Sequence, residues 1–411
     1  MTKIILIRYG DITLKGKNKK SFIDTLVSQI KHRLTPYTIN YDHAHNRLYL
    51  HIQDKDIEII TKELQAIPGI DSFSLVQQVE LEVESIYQAT CQEIKQYQDS
   101  SLTFKIKTKR TNKHFPIRSM ELSRTLAGKL LKEYTHLSVD VHNPDCLLEI
   151  EIRSKYAYIF SKKIPGLGGF PTGTIGKGYL LLSGGIDSPV AGFLAMKQGI
   201  AIEAFHFEST PMTSIESAQK VVDIAKVLAR FAPKSTLKLH LVPFKAIHET
   251  IIQNIPEPYH ITIMRRMMLR FIEEKAEQTH TPTIITGESI GQVASQTLES
   301  MKVINAITNR PIIRPLATLD KKDIIAIARK INTYDIAIRP FEDCCSIYLP
   351  KQPSTNPRIF YALRYERLFN YKEHLKTMEK DTITLSITPT TNLDLPSLGF
   401  TVSEALKGGK P

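Results

Sequence analysis

Gly178-Tyr179-Leu180-Leu181-Leu182-Ser183-Gly184-Gly185-Ile186-Asp187-Ser188-Pro189 is the stretch that decides the fold. An apolar run of strand length breaks into a Ser/Gly turn. Asp187 or Ser188 then stands where a helix cap is wanted, with Pro189 in the first helical turn. Val190, Phe193, Leu194 and Met196 give that helix an apolar face. Strand, glycine turn and helix form the geometry in which backbone N–H groups and a helix N-terminus meet an anion. The turn lacks the Gly-Lys-Ser/Thr ending suited to γ-phosphate transfer, and the Gly-x-Gly-x-x-Gly spacing of a dinucleotide site. A nucleotide turn of another kind remains.

Downstream, residues 202–207, 238–242 and 283–286 read as strands, and 217–230 and 261–277 as helices, the second carrying Arg265, Arg266 and Arg270. This alternation predicts a doubly wound parallel sheet, α/β in class, with ligands at the carboxyl ends of its strands. His206 and Phe207 end one strand, where backbone contacts to adenine are expected; a plain strand-end histidine is the alternative for His206. Gly287-Glu288-Ser289 follows another strand, and the amides Gln292 and Gln296 follow it in turn. That arrangement suits base or ribose recognition, or merely a loop and a helix cap.

Upstream, residues 166–178 hold six of the chain's 19 glycines, a density no helix or strand interior tolerates, and are read as a linker. Residues 1–60 read as a small α+β domain: a strand at 3–8, a helix at 18–34 and a strand at 46–52. The lysine-rich loop around Gly16 is either a solvated helix start or a phosphate contact. Residues 61–165 form a second domain with the strongest charge bias. Lys105, Lys107, Lys109, Arg110, Lys113, Arg118 and Arg124 face Glu121 alone between 101 and 125. On a strand, Lys105, Lys107 and Lys109 fall on one face. Such a row is either a nucleic-acid footprint or a solvated sheet face. His114 and Phe115 beside it either stack on an unpaired base or, for Phe115, enter the core. The catalytic domain is expected over 179–380, and the Thr/Pro-rich residues 381–411 as a loosely held tail.

Composition sets the class. With 411 residues, 42% hydrophobic and 23% charged, the chain is neither fibrous nor disordered. No apolar run reaches the length of a membrane span, and the four apolar residues before Arg8 are too few for a signal peptide, so no membrane and a cytoplasmic location are expected. Lys plus Arg exceed Asp plus Glu by 54 to 42, and the +12 balance favours a polyanionic partner. Four cysteines, Cys91, Cys146 and the adjacent Cys344 and Cys345, do not make a disulfide scaffold.

The turn at 183–188 matches the pyrophosphate loop of the N-type ATP pyrophosphatases. Further motifs are Arg8-Tyr9-Gly10 with Leu14-Lys15-Gly16-Lys17-Asn18, and Lys113-His114-Phe115-Pro116 with Met120-Glu121-Leu122. Val139-Asp140-Val141-His142-Asn143-Pro144-Asp145, the stretch 287–297 and Pro340-Phe341-Glu342-Asp343-Cys344-Cys345 complete the set. Together, over nearly the full length, they resemble the tRNA 4-thiouridine synthetase (tRNA uracil 4-sulfurtransferase) family. The resemblance implies an N-terminal ferredoxin-like domain, a THUMP domain binding the tRNA acceptor end, and a pyrophosphatase-type catalytic domain. It implies that O4 of uridine at tRNA position 8 is adenylated by ATP, carried with Mg²⁺, and that a persulfide from a cysteine desulfurase brings sulfur to C4. ATP contacts carried over by position are Leu181, Leu182, Ser183, Gly184, Gly185, Asp187, Ser188, His206, Phe207, Arg265, Gly287 and Gln296. Asp187 is expected to be essential, orienting the loop or acting through Mg²⁺, and Cys344 to carry the sulfur; Cys345 resolves the persulfide or is structural.

Long family members add a C-terminal rhodanese domain with its own cysteine, whereas no cysteine follows Cys345 here. Sulfur is then expected directly from the desulfurase or through a separate carrier, and a role in thiamine biosynthesis through a sulfur-carrier protein stays open. A vicinal cysteine pair has poor geometry for an iron–sulfur cluster, so none is expected. The oligomeric state is left open, a homodimer included. A vestigial nucleotide fold that only binds tRNA and an amidotransferase-type ligase are the competing functions; nothing here resembles the glutaminase that such a ligase needs.

Overall fold

The computed structural model of the chain describes residues 2–44, 47–97, 101–342 and 350–407. It divides into two compact units, one ending at Gly169 and the other starting at Phe170.

The first unit is built on one nine-stranded sheet. Its strands are β1 (Thr2–Arg8), β2 (Asn40–Ala44), β3 (Arg47–Gln53), β4 (Ser72–Glu80), β5 (Leu102–Arg110), β6 (Leu137–Val139), β7 (Cys146–Ile152), β8 (Tyr156–Phe160) and β9 (Ile164–Pro165). Four helices accompany them: α1 (Lys19–Arg33), α2 (Ile57–Leu64), α3 (Val83–Ile94) and α4 (Ser119–Glu133). The order is β2-β3-β1-β4-β8-β7-β5-β6, with β9 on β4. β4 joins the two halves: residues 72–76 pair antiparallel with β1, and 77–80 with β8. The expected boundary at 60/61 therefore falls inside α2, because the first half is not complete until β4 has crossed the sheet. In the second half Ile86, Phe104, Leu122, Leu126 and Ile150 close a core between α3, α4 and the sheet.

The second unit carries a six-stranded sheet of order β14-β13-β10-β11-β12-β15. The strands are β10 (Gly176–Leu181), β11 (Ile200–Glu208), β12 (Leu237–Pro243), β13 (Thr283–Ile285), β14 (Ile312–Ile313) and β15 (Ile383–Ile387). All pair in parallel except β15, which runs antiparallel to β12. The helices are α5 (Asp187–Lys197), α6 (Ile215–Ala229), α7 (Lys245–Asn254), α8 (His260–Gln278), α9 (Leu298–Asn305), α10 (Lys321–Lys330), α11 (Tyr334–Ala337), α12 (Ile359–Glu366), α13 (Tyr371–Asp381) and α14 (Val402–Lys407). α5 and α6 pack with α10 and α11, while α8 gathers α7, α9, α12 and α13, as a doubly wound sheet requires. The order reverses between β10 and β13, which opens a crevice at their carboxyl ends.

Two expectations change here. The linker at 166–178 runs into the sheet: β10 begins at Gly176, and a Cβ on Gly178 would come within 2.5 Å of Ile285. Residues 382–407 are no loose tail. β15 closes the sheet, and Leu395, Val402 and Ala405 are buried.

Three parallel strands are also tied by charge. Glu203 on β11 meets His240 Nε2 at 3.2 Å, Lys177 Nζ at 2.8 Å and Lys238 Nζ at 3.3 Å. The hydrogen bond with His240 does most to lower the Glu203 carboxyl, burial opposes it, and the two lysines add their charge, holding it at about 2. Folding depresses this pKa, so the stabilisation is complete above about pH 4.5 and disappears as pH falls through about 2, roughly 1–2 kcal/mol after solvent screening. Glu203→Gln should flatten the acid limb of stability in that window; identical limbs in acid unfolding curves would refute the assignment.

Candidate nucleotide-binding site

A cavity of about 240 Å³ opens at the β10/β13 switch point. Of the residues expected at a nucleotide, Leu181, Leu182, Ser183, Asp187, Ser188, His206, Phe207, Arg265, Gly287 and Gln296 line it. Gly184 and Gly185 lie in the same turn but not among the lining residues.

The turn is braced by hydroxyls. Ser188 Oγ accepts from Ser183 N–H at 2.8 Å and donates to the Ser183 carbonyl at 3.2 Å, and Gly185 N–H reaches Ser183 Oγ at 3.3 Å. Neither Asp187 nor Ser188 caps α5: Ile186 holds the cap position and no side chain bonds there. Ser188 braces the turn instead by reaching back across it, while the Asp187 carboxylate is turned to Lys321 and Gln292.

Gly287 explains the close contact between the two sides of the crevice. A Cβ there would lie 2.6 Å from Ser188 N and 2.7 Å from Ser188 Cα, so only glycine lets the β13 loop touch the start of α5. On the wall formed by β11, Leu182 N–H bonds the Phe205 carbonyl at 2.9 Å. His206, only 3% exposed, has Nδ1 3.0 Å from the Leu182 carbonyl. A carbonyl can only accept, so Nδ1 carries a proton and donates it to this bond.

Three residues beyond the expected set complete the charge pattern. Buried Glu288 joins two guanidinium groups, Arg265 Nη1 at 2.5 Å and Arg314 Nε at 2.6 Å, and accepts from Thr286 Oγ1 at 2.9 Å. Burial pushes the Glu288 carboxyl up, but Arg265 and Arg314 outweigh it and hold the group below the ordinary carboxylate value. Around Glu288 two guanidinium groups stand against one carboxylate, a local excess of one positive charge, while Asp187 adds a second anion to the cavity lining. Asp187, the expected essential carboxylate, is met by Lys321 Nζ at 2.5 Å and by Gln292 Nε2 at 3.0 Å. Arg314 and Lys321 were illegible in sequence: Lys321 lies 134 residues from Asp187 with no spacing to connect them. Among the described residues no three His, Cys, Asp or Glu side chains group to hold a metal ion.

In the first unit the basic row keeps its strand but not a single role. Lys105 Nζ donates to the Val141 carbonyl at 2.7 Å, and Arg110 Nη1 to those of Phe115 at 2.6 Å and Ile117 at 3.0 Å. These two hold loops. Lys107 and Lys109 are exposed and lie in register with Glu149 and Glu151 of β7, and Glu151 is engaged by Arg47 and Arg153. Lys113, His114 and Arg118 are exposed, whereas Phe115 is buried at 4% and belongs to the core, not to a base-stacking surface. Cys91 and Cys146 are buried, and burial pushes the Cys146 thiol up to about 11. Cys344, with Asp343 and Cys345, lies outside the described residues. No helix among the described residues is long and apolar enough to cross a membrane.

Comparison with known proteins places this geometry. Family models match residues 4–74 (ThiI ferredoxin-like domain), 81–162 (THUMP domain) and 173–370 (thiamine biosynthesis protein, ThiI). A curated protein of Acholeplasma laidlawii, described as a probable tRNA sulfurtransferase, is 50% identical over 99% of this chain and 98% of its own. A crystal structure of a 4-thiouridine synthetase–RNA complex with bound ATP is 34% identical, with a TM-score of 0.85 over 94% of this chain and all of that one. A solved structure from Pyrococcus horikoshii shares the fold at 21% identity and a TM-score of 0.62, covering 80% of this chain and 99% of its own. The fold is thus a ferredoxin-like domain, a THUMP domain and a PP-loop domain in series, and the chain belongs to the ThiI family.

Proposed function

We propose that this protein is an ATP-dependent tRNA sulfurtransferase that converts uridine 8 of tRNA to 4-thiouridine. The observation that carries the reading is the cavity at the β10/β13 switch point, closed by the serine-braced turn and walled by Arg265. The relatives described as a tRNA sulfurtransferase and as a synthetase with RNA and ATP support it.

ATP enters as its Mg²⁺ complex, its phosphates over residues 183–188 and the start of α5, where backbone N–H groups and the helix dipole oppose their charge. Adenine lies against His206 and Phe207, with Gly287 and Gln296 opposite; Gln296 Oε1 is buried without a protein partner and suits an exocyclic amine. Uracil O4 attacks the α-phosphorus, the α–β bond breaks and pyrophosphate leaves. Adenylation is needed because O4 alone is a poor leaving group. A persulfide on Cys344, charged by a cysteine desulfurase directly or through a carrier, then attacks C4 with its terminal sulfur and AMP departs. The remaining S–S bond is cut by a second thiol, Cys345 or one in solution, which forms a disulfide with Cys344 and leaves sulfur on C4. No iron–sulfur cluster takes part. The reaction belongs in the cytoplasm, and the same persulfide would serve a thiamine sulfur carrier.

The test is to incubate the purified protein with tRNA, ATP, cysteine and a desulfurase, and to analyse the tRNA nucleosides by mass spectrometry. 4-Thiouridine that requires ATP and appears with pyrophosphate is expected; pyrophosphate release that ignores tRNA would overturn the reading. Binding of tRNA is assigned to the first unit, with Lys107, Lys109, Lys113 and Arg118 on phosphates, and Lys105 and Arg110 holding the loops beside them. Lys107→Ala with Lys109→Ala should lower the salt slope of tRNA affinity by about 1–2. Lys105→Ala should weaken binding through the loop at 139–145 with little change of slope. A slope unmoved by the double substitution in filter-binding titrations would exclude the row as a phosphate contact.

A further inference from the structure

Lys220 lies in the middle of α6 and is only 4% exposed. Taking an ammonium group out of water is costly, and a fold keeps one only where its donors are used. Its Nζ donates to the Phe341 carbonyl at 2.5 Å and approaches the Arg339 carbonyl at 3.4 Å. One turn along the same helix, Asp223 Oδ2 takes Arg339 Nη1 at 2.5 Å, while Asp223 Oδ1 is held by Lys226 and Gln219. Burial raises the Asp223 carboxyl, but Arg339, Lys226 and Gln219 outweigh it and keep the group ionised. Gln219 is itself fixed by the Leu393 carbonyl at 3.1 Å and Leu395 N–H at 2.8 Å, so the grip has a rigid base. Positions 220 and 223 share a helix face, and both close on the backbone and side chain of residues 339–341.

We propose that Lys220, seconded by the Asp223–Arg339 pair, is a positioning residue for sulfur transfer. It fixes the point from which the chain runs to Cys344, three residues beyond Phe341. Three peptide units span at most about 11 Å, so a fixed Phe341 sets an upper bound on the distance from it at which the chain can present residue 344. None of the three side chains lines the nucleotide cavity. The anchor therefore acts on the second chemical step and leaves the first alone. This inference rests on the proposed role of Cys344.

The experiment measures two rates on full-length Lys220→Met: tRNA-dependent ATP–pyrophosphate exchange, and 4-thiouridine formation with cysteine and a desulfurase. Exchange within about twofold of the parent, with 4-thiouridine formation at least about tenfold lower, is expected, since misplacing a reacting group by about 1 Å costs up to ~10²-fold. A merely structural role would lower both rates together and leave their ratio at the parent value; that outcome overturns the proposal. Lys220→Arg, which keeps a cationic donor, should recover part of the ratio. Should Lys220→Met not fold, Arg339→Ala decides: its side chain is 41% exposed, and an unchanged ratio there overturns the anchor. Cys344→Ser is run beside them. If it still makes 4-thiouridine, the Cys344 reading and the anchor fall together. If it makes none while Lys220→Met keeps the parent ratio, the anchor alone falls.

Discussion

Cys344→Ser protein is expected to exchange pyrophosphate with ATP in the presence of tRNA at close to the parent rate, and to make no detectable 4-thiouridine. The two steps need different atoms. Adenylation is assigned to the turn at 183–188 and to the guanidinium groups of Arg265 and Arg314, and its chemistry calls for no thiol. Transfer needs a sulfur that can be carried on another sulfur and given up, and a serine hydroxyl cannot hold it. The loss is therefore greater than about 10³-fold, the scale on which a covalent nucleophile is missed. An ordinary thiol near pKa 8.5 is only about 3% thiolate at pH 7, and a persulfide, being more acidic, is better populated as the attacking anion. Neither Cys91 nor Cys146 can stand in. Burial pushes Cys146 up to about 11, which leaves about one thiolate in 10⁴ at pH 7, and it raises Cys91 as well. Thiouridine in nucleosides from the Cys344→Ser reaction would remove Cys344 from the sulfur route. Loss of exchange as well would assign it to adenylation.

What could be read from sequence, and what could not, follows from the range of the forces involved. The strand and turn from Gly178 to Pro189, the parallel strands after it and the amphipathic helices are local patterns, and they stand within a residue or two of where periodicity put them. The strand Ile383–Ile387 was present as alternation, Ile-Thr-Leu-Ser-Ile, but its Thr/Pro-rich surroundings pointed to a tail. Only the partner β12, nearly 150 residues earlier, makes it a strand. The boundary near 60 failed for a similar reason: β4 serves two halves of one sheet, and no composition change marks a shared strand. At the site, glycines and the strand-end histidine signal themselves through backbone needs. The cations do not. Lys321 on Asp187 and Arg314 on Glu288 are pairings across the fold, decided by which partly or fully buried carboxylate requires a counter-charge. Phe115 admits two readings in sequence, a base-stacking surface beside the basic row or the core favoured for a Phe before proline, and it fills the core.

Gly287→Ala is expected to cut tRNA-dependent ATP–pyrophosphate exchange by about 10²-fold while the protein still folds. The backbone at Gly287 is not in the left-handed region, so alanine brings no conformational strain, and the whole effect is one of space. The added methyl would stand 2.6 Å from Ser188 N, 2.7 Å from Ser188 Cα and 2.9 Å from the carbonyl carbon of Asp187, all of them backbone atoms. No rotamer relieves such a contact; either the start of α5 or the loop after β13 must retreat. Overpacking of this kind costs about 1–3 kcal/mol of stability, which a chain of this size survives. The displaced element, however, carries the N–H groups of Asp187 and Ser188, the Ser188 hydroxyl that braces Ser183, and the Asp187 carboxylate met by Lys321. A retreat of about 1 Å therefore disturbs several groups at once. Gly291→Ala is the control with the opposite physics: its φ is +76°, but nothing lies within 4 Å of the new Cβ. Strain there costs about 1–2 kcal/mol locally without pressing on α5, so exchange should fall far less than for Gly287→Ala. Equal losses in the two variants would mean that conformational strain, and not contact between the two sides of the crevice, governs the site; parent-level exchange in Gly287→Ala would mean that nucleotide binding does not depend on where α5 begins.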